Sequence, residues 1–283
     1  MKRIDHKLPY HVYVIGLESN FRGDFLLQQL DKLNVKYTKV DGIDGNGLST
    51  REVSQKYSKE MSTLLFGREL TKGEIGCALS HQSVYQRIGI QEEPYALVLE
   101  DDVTLIDGAK ILKVLNQITE MVNFRKKPVC VQFGFQENSE RNAVGSQITF
   151  QKLAKPHFGN YMYFLNKTAA KILEISKDQK IVTCADWPVA ANRIDWWKIN
   201  APLINLRIDD SILNFERKGE VTKYDNWRKH NSRKQRINKF KHILYKFYTD
   251  PQFSSYSKSD LVGYLIPSKL YLMRRRSKFS IRV

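Results

Sequence analysis

Apolar positions along the chain come as short runs separated by stripes at helical spacing, and this alternation persists from residue 10 to about residue 206. Tyr10-His-Val-Tyr-Val-Ile-Gly-Leu17 is rich in β-branched and aromatic residues and is closed by polar residues from Glu18, which predicts a buried first strand. Behind it Phe25, Leu26, Gln29, Leu30 and Leu33 mark one face of a helix, and Val35-Lys-Tyr-Thr-Lys-Val40 then alternates as a second strand. A β-α-β opening of this kind implies parallel strands, a right-handed crossover and a ligand site outside the carboxyl ends of the strands. Thr71-Lys-Gly-Glu74 has the spacing of a capping box and predicts a helix to about Ile88, with Ile75, Leu79, Val84 and Ile88 on its apolar side and Ser80-His81 interrupting it. Asp107 is placed to cap a helix bearing Ile111, Leu112, Leu115, Ile118 and Val122, and Val129–Phe135 reads as a strand. Tyr161–Leu165 is a further strand running into Asn166, the cap of a helix carrying Ala169, Ala170, Ile172 and Leu173; Leu203–Leu206 is the last strand. The fold class is α/β.

One strand ends in an unusual way. Tyr95-Ala-Leu-Val-Leu-Glu-Asp-Asp-Val103 is an apolar run that finishes in three consecutive acids. If the strand continues through them, Glu100 and Asp102 share one side and Asp101 faces away, unless a bulge brings Asp101 round. Two carboxylates on one side suit a hard divalent ion, which takes oxygen ligands and completes its shell with water and phosphate oxygens. A metal-assisted enzyme acting on a nucleotide diphosphate is the chemistry this suggests. The structural alternative is a strand that stops at Leu99 and a solvated acidic turn.

At 283 residues and 33.0 kDa the chain can bury a full core. Its net charge of +16 is concentrated: residues 217–283 hold 18 Lys/Arg against 4 Asp/Glu, which leaves +2 for residues 1–216. This divides the chain into an α/β domain over 1–216 and a basic, aromatic-rich and helical extension over 217–283. Three cysteines, Cys77, Cys130 and Cys184, with no C-x-x-C pair argue against a disulfide framework or a thiolate zinc site and for a reducing compartment. No apolar run reaches the roughly 18–20 residues of a membrane span, and the basic start lacks the apolar segment of a signal peptide. Asn166-Lys-Thr168 matches a glycosylation acceptor by chance in such a chain.

Several segments together resemble glycosyltransferase family 25, the bacterial lipopolysaccharide and lipooligosaccharide galactosyltransferases. Leu70-Thr-Lys-Gly-Glu-Ile-Gly-Cys-Ala-Leu-Ser-His81 is similar to the family's Gly-Glu-x-Gly-Cys-x-x-Ser-His block, and Leu99-Glu-Asp-Asp-Val103 follows at the expected distance. Tyr13–Leu17 with Arg22, Asp41-Gly-Ile-Asp-Gly45, Gly159–Tyr163 with Lys167–Ala170, and Asp186-Trp-Pro188 resemble further family segments, although Gly16 stands where Asn is expected and Gly42 where Ala is. The resemblance implies a GT-A type, Rossmann-like nucleotide-sugar-binding domain. It implies transfer of galactose or glucose from UDP-galactose or UDP-glucose, with inversion, onto a glycolipid saccharide acceptor.

On this reading Glu100 and Asp102 hold Mn²⁺ or Mg²⁺, and Leu17, Arg22, Asp44, Glu100 and Asp101 contact the nucleotide sugar. His157, Asp209, Asp210 and Glu216 are the candidates for a third metal ligand. Asp186 is the preferred general base, since it opens a helix start at Trp187-Pro188, although an Asp there is as readily a cap. His81 and Glu74 are second choices, Glu74 being already explained by its capping box. Trp187, Trp196 and Trp197 offer ring faces to a sugar but fit a core better. The basic extension suits an anionic membrane surface, which places the protein at the cytoplasmic face of an inner membrane. Two rivals stand beside this reading: nucleic-acid binding, which the near-neutral residues 1–216 disfavour, and a nucleotide-sugar hydrolase using the same acids.

Overall fold

Alternating contacts along two parallel strands show why their sequences are apolar almost throughout. In β1 (Tyr10–Gly16), Tyr10, Val12 and Val14 face one core and Tyr13 and Ile15 another; in β3 (Tyr95–Glu100), Tyr95, Leu97 and Leu99 face the first and Ala96 and Val98 the second. A strand covered on both faces has no solvent side to mark with polar residues. The first face is covered by α1 (Asp24–Lys32) and α5 (Gly108–Arg125) through Leu26, Leu30, Ile111, Leu115 and Ile118. The second is covered by α4 (Lys72–Ile90) and α6 (Lys167–Leu173) through Val84, Tyr85, Ile88, Ala169 and Leu173. The computed structural model describes residues 8–65, 68–125, 127–135, 148–157 and 159–207.

The remaining elements are β2 (Thr38–Asp41), α2 (Thr50–Lys56), α3 (Lys59–Leu65), β4 (Val103–Leu105), β5 (Val129–Phe135), β6 (Phe150–Leu153), β7 (Met162–Asn166) and β8 (Asp195–Leu206). The strands form one mixed sheet in the order β2-β1-β3-β7-β5-β8-β4, with β6 paired to β8. The predicted β-α-β opening is present, β1 lying parallel to both β2 and β3 with Ile15 opposite Glu100. This is the α/β class expected of the sequence, with the first three strands as a parallel, Rossmann-like unit and a second parallel pair, β5 with β8, further along the sheet. The basic extension over 217–283 lies outside the described residues, as do Asp209, Asp210 and Glu216. Among the described residues no helix is long and apolar enough to cross a membrane.

Three expectations change. The second strand begins at Thr38 rather than Val35, because Asn34 turns left-handed (φ 53) at the end of α1 and the Val35 amide bonds back to the Leu30 carbonyl. The last strand is 12 residues long rather than four, and it contains Trp196 and Trp197 as core residues. Those two rings are therefore unavailable to an acceptor sugar. The segment after Asp186 is a short 3-10 turn over Val189–Arg193 preceded by Pro188, so Asp186 sits in a turn and not at a helix start.

Both predicted caps on the α4 and α6 side are present. Thr71 and Glu74 form a reciprocal capping box. The Asn166 Oδ1 accepts from Ala169 N at 2.8 Å and from Val129 N at 3.3 Å, and its amide donates to the Lys127 carbonyl at 2.7 Å. Asn166 thus ties α6 to β5 as well as capping it. Asn166→Ala is expected to lower stability by about 2 kcal/mol, one cap and a buried bond, read as a fall in the urea midpoint at unchanged m-value.

Candidate functional site

The carboxyl ends of β1, β2 and β3 open onto a cleft of about 160 Å³, lined further by the loop after β2, by α4 and by residues 184–186. Two glycines set the close approach of the loop after β2. A Cβ on Gly45 would lie 1.7 Å from the Lys72 carbonyl oxygen, and one on Gly76 2.3 Å from the Ile43 carbonyl oxygen. Only glycine at both positions lets the 42–47 loop rest on the first turns of α4, where Ser80 Oγ accepts from Ile43 N at 2.7 Å. Asp44 caps the short turn that follows by accepting from Asn46 N, and Leu17 and Asp44 both line the cleft.

The three acids end up together, contrary to the strand alternation. β3 stops at Glu100 and the chain turns at Asp101-Asp102 before β4, so Glu100, Asp101 and Asp102 all line the cleft. Asp101, expected to face away, accepts from the Arg22 backbone amide at 3.1 Å and from Arg22 Nη2 at 3.0 Å. Arg22, offered by the sequence to a diphosphate, is thereby fixed on an acid, with Nη2 also 3.8 Å from Asp102 Oδ2. Asp102 is buried, and its Oδ1 has no hydrogen-bond partner. Burial, and then the charge of Glu100, push its carboxyl up to about 7 against the opposing pull of Arg22. A buried carboxylate oxygen without a donor beside a second carboxylate is the environment that a hard divalent cation fits.

Glu100 is held from behind. Its Oε1 lies 3.1 Å from His81 Nε2, and His81 Nδ1 lies 2.8 Å from the Tyr163 hydroxyl on β7. Burial pushes His81 down to about 4, with the charge of Asp186 opposing, so the imidazole is neutral at physiological pH and a weak proton acceptor. Its geometry suits positioning Glu100. Glu74 lines the cleft but is bound by both guanidinium nitrogens of Arg68 at 2.7 Å each while it completes the capping box. That makes it a structural carboxylate rather than an acid or base. Across the cleft, Asp186 Oδ1 accepts from Gly159 N at 3.1 Å and Asn160 N at 2.9 Å. Gly159 has φ +89, which only glycine adopts without strain. His157 is exposed and does not line the cleft, so it is not a third ligand there.

Four partners in this arrangement were not singled out from the sequence: Arg68, Cys77, Asn160 and Tyr163. Cys77 had a signal, its i−4 spacing from His81 on one helix. The others are joined to the site by strand pairing and chain packing, which leave no mark in local sequence.

A family model described as glycosyltransferase family 25 (LPS biosynthesis protein) matches residues 10–187, the span that builds β1, β2 and β3, α4, the acid turn and Asp186. The chain belongs to glycosyltransferase family 25. Among its relatives, a glycosyltransferase 25 family member of Aedes aegypti is 26% identical over 195 residues, 64% of this chain and 31% of that protein. Human procollagen galactosyltransferase 2 is 32% identical over 119 residues, 38% of this chain and 18% of the relative. A human relative named inactive glycosyltransferase 25 family member 3 is 33% identical over 96 residues, 32% of this chain and 16% of the relative. The chain thus spans less than a third of the length of each of these family 25 proteins.

Proposed function

We propose that this family 25 chain transfers galactose or glucose from a UDP-sugar, with inversion, to a saccharide acceptor of lipopolysaccharide or lipooligosaccharide, using Mn²⁺ or Mg²⁺ held by Glu100 and Asp102. The observation that carries the reading is the unpartnered, buried Oδ1 of Asp102 in the same cleft as Glu100. When bound, such a cation offsets the negative charge that develops on a leaving diphosphate. His81 and Tyr163 hold the Glu100 carboxylate in place, and Arg22 does the same for Asp101.

In an inverting transfer the acceptor oxygen bonds to the anomeric carbon as the bond from that carbon to UDP breaks on the opposite face. The acceptor hydroxyl proton needs a base. Asp186 is the proposed acceptor of that proton: it lines the cleft, and two backbone amides fix its carboxylate before substrate arrives. The Leu17 and 42–46 edges of the cleft are the proposed nucleotide contacts, with Asp44 among them. The basic 217–283 segment, +14 in charge, is proposed to hold the protein on the anionic cytoplasmic face of an inner membrane, where a glycolipid acceptor lies. Deleting it should abolish co-sedimentation with anionic vesicles; unchanged co-sedimentation would remove the membrane role.

Release of UDP from a panel of UDP-sugars, in Mn²⁺ or in EDTA and with or without truncated lipooligosaccharide, tests the activity. Turnover that needs the metal and rises with acceptor is expected. Turnover indifferent to every acceptor would instead indicate a nucleotide-sugar hydrolase, and no turnover of any UDP-sugar would refute the donor assignment.

A further inference from the structure

We infer that Cys77, His81 and Glu100 form a second cation site, one for a transition metal of the Zn²⁺ type, beside the acid pair and distinct from it in chemistry. Cys77 and His81 are four residues apart on α4 and share a face of that helix, and Glu100 approaches from the end of β3 with its Oε1 3.1 Å from His81 Nε2. One ligand atom of each residue lies within 4.8 Å of the others. Zinc bonds of about 2.0–2.3 Å put two ligands of one ion less than about 4.6 Å apart, so small side-chain rotations close the group round an ion.

The donor set is a thiolate, an imidazole and a carboxylate. Three protein ligands of these types leave a fourth position for water or a substrate atom, and the sulfur and nitrogen favour zinc over the magnesium or manganese that carboxylate oxygens alone attract. The imidazole has an outer partner on its far side: with an ion on Nε2 in place of the contact to Glu100, the ring proton would sit on Nδ1 and be donated to the Tyr163 hydroxyl, 2.8 Å away. Tyr163 is buried in β7, so this partner is rigid. Cys77 is half-buried, is not in a disulfide and lines the cleft, which makes it reachable by an ion from solvent. Glu100 belongs to both sites. Zinc held here therefore withdraws it from Asp102, and Zn²⁺ is an antagonist of any Mn²⁺-dependent step.

The site is tested without sugar, so its failure is separate from failure of the transferase reading. Titrating the metal-free full chain with Co²⁺ is expected to give uptake of about one equivalent with a near-ultraviolet thiolate-to-cobalt charge-transfer band, bleached by Zn²⁺. Cys77→Ser is expected to lose the band. Glu100→Gln should weaken uptake about tenfold or more while keeping it, and Asp102→Asn and Cys184→Ser should leave it unchanged. Independently of any variant, bound Zn²⁺ should slow iodoacetamide alkylation of Cys77 in the folded wild-type protein at least about tenfold, read by peptide mass. A wild-type titration without the band, a band that survives Cys77→Ser, or alkylation indifferent to zinc each overturns the site.

Discussion

Asp102→Asn is expected to lower kcat/KM for metal-dependent UDP-sugar turnover by about 10²–10³-fold or more, the scale of removing one preorganised electrostatic contact from a transition state. Asparagine keeps the shape of the side chain and removes the anionic oxygen that Mn²⁺ or Mg²⁺ needs. The loss should appear in kcat and in the apparent affinity for metal, since Asp102 is buried and its Oδ1 has no protein donor to release. Asp101→Asn supplies the contrast, because Asp101 is already committed to Arg22 at 3.0 Å. A fall in turnover after Asp101→Asn as deep as that after Asp102→Asn would transfer the ligand role to the wrong acid, and unchanged metal dependence after Asp102→Asn would refute the assignment outright.

The same carboxyl should make the metal-free protein less stable as pH rises. Burial and the Glu100 charge raise Asp102 to about 7 in the folded chain, well above the ordinary carboxylate range of about 3.9. Between those values the folded state keeps a proton that the unfolded chain releases, so unfolding is favoured by rising pH. The contribution is fully present below about pH 4 and is lost as pH rises through about 7, with a slope of at most about 1.4 kcal/mol per pH unit. A divalent cation replaces the proton and reverses the loss. In EDTA, wild-type Tm should therefore fall more between pH 5 and pH 8 than that of Asp102→Asn, by about 2–4 °C for each kcal/mol. Mn²⁺ should raise wild-type Tm chiefly at pH 8 and leave Asp102→Asn nearly unmoved. Parallel pH slopes for the two proteins in EDTA would show that Asp102 is not the titrating group.

Glu74 and His81 show how one motif divides into different tasks. Both stand in the segment that carries the family resemblance, and both were candidates for proton transfer. Glu74 is taken up by Arg68 and the Thr71 cap, a buried ion pair with every partner in place. His81 joins a strand residue, Tyr163, to the acid that ends another strand. Gly76 in the same segment is required by the loop that crosses it, with the Ile43 carbonyl 2.3 Å from where a Cβ would stand. The segment is therefore dense in structural duty, and of its cleft-lining side chains Cys77 and His81 are the two that lie beside Glu100.

Local chemistry makes the α/β class, the β-α-β opening, the Thr71–Glu74 and Asn166 caps and the acid run legible in the sequence, because strand and helix periods and caps depend on residues within about four positions of one another. Apolar strands with no polar face also imply cover on both sides. The sequence therefore determined which segments fold and where an acidic strand end meets a nucleotide-type sheet. It could not determine that all three acids face the cleft, since that depends on β3 ending at Glu100, a limit set by pairing to β1 and β7 and not by the run itself. It favoured a core over a sugar platform for Trp196 and Trp197 but could not fix that place, because their burial comes from a strand whose neighbours, β5 and β6, lie dozens of positions away in the chain. The pairing of Arg22 with Asp101, of His81 with Tyr163 and of Asp186 with the Gly159 and Asn160 amides was decided by tertiary structure alone. Each joins residues far apart in the chain whose meeting depends on sheet order, and sheet order is a property of the packed whole.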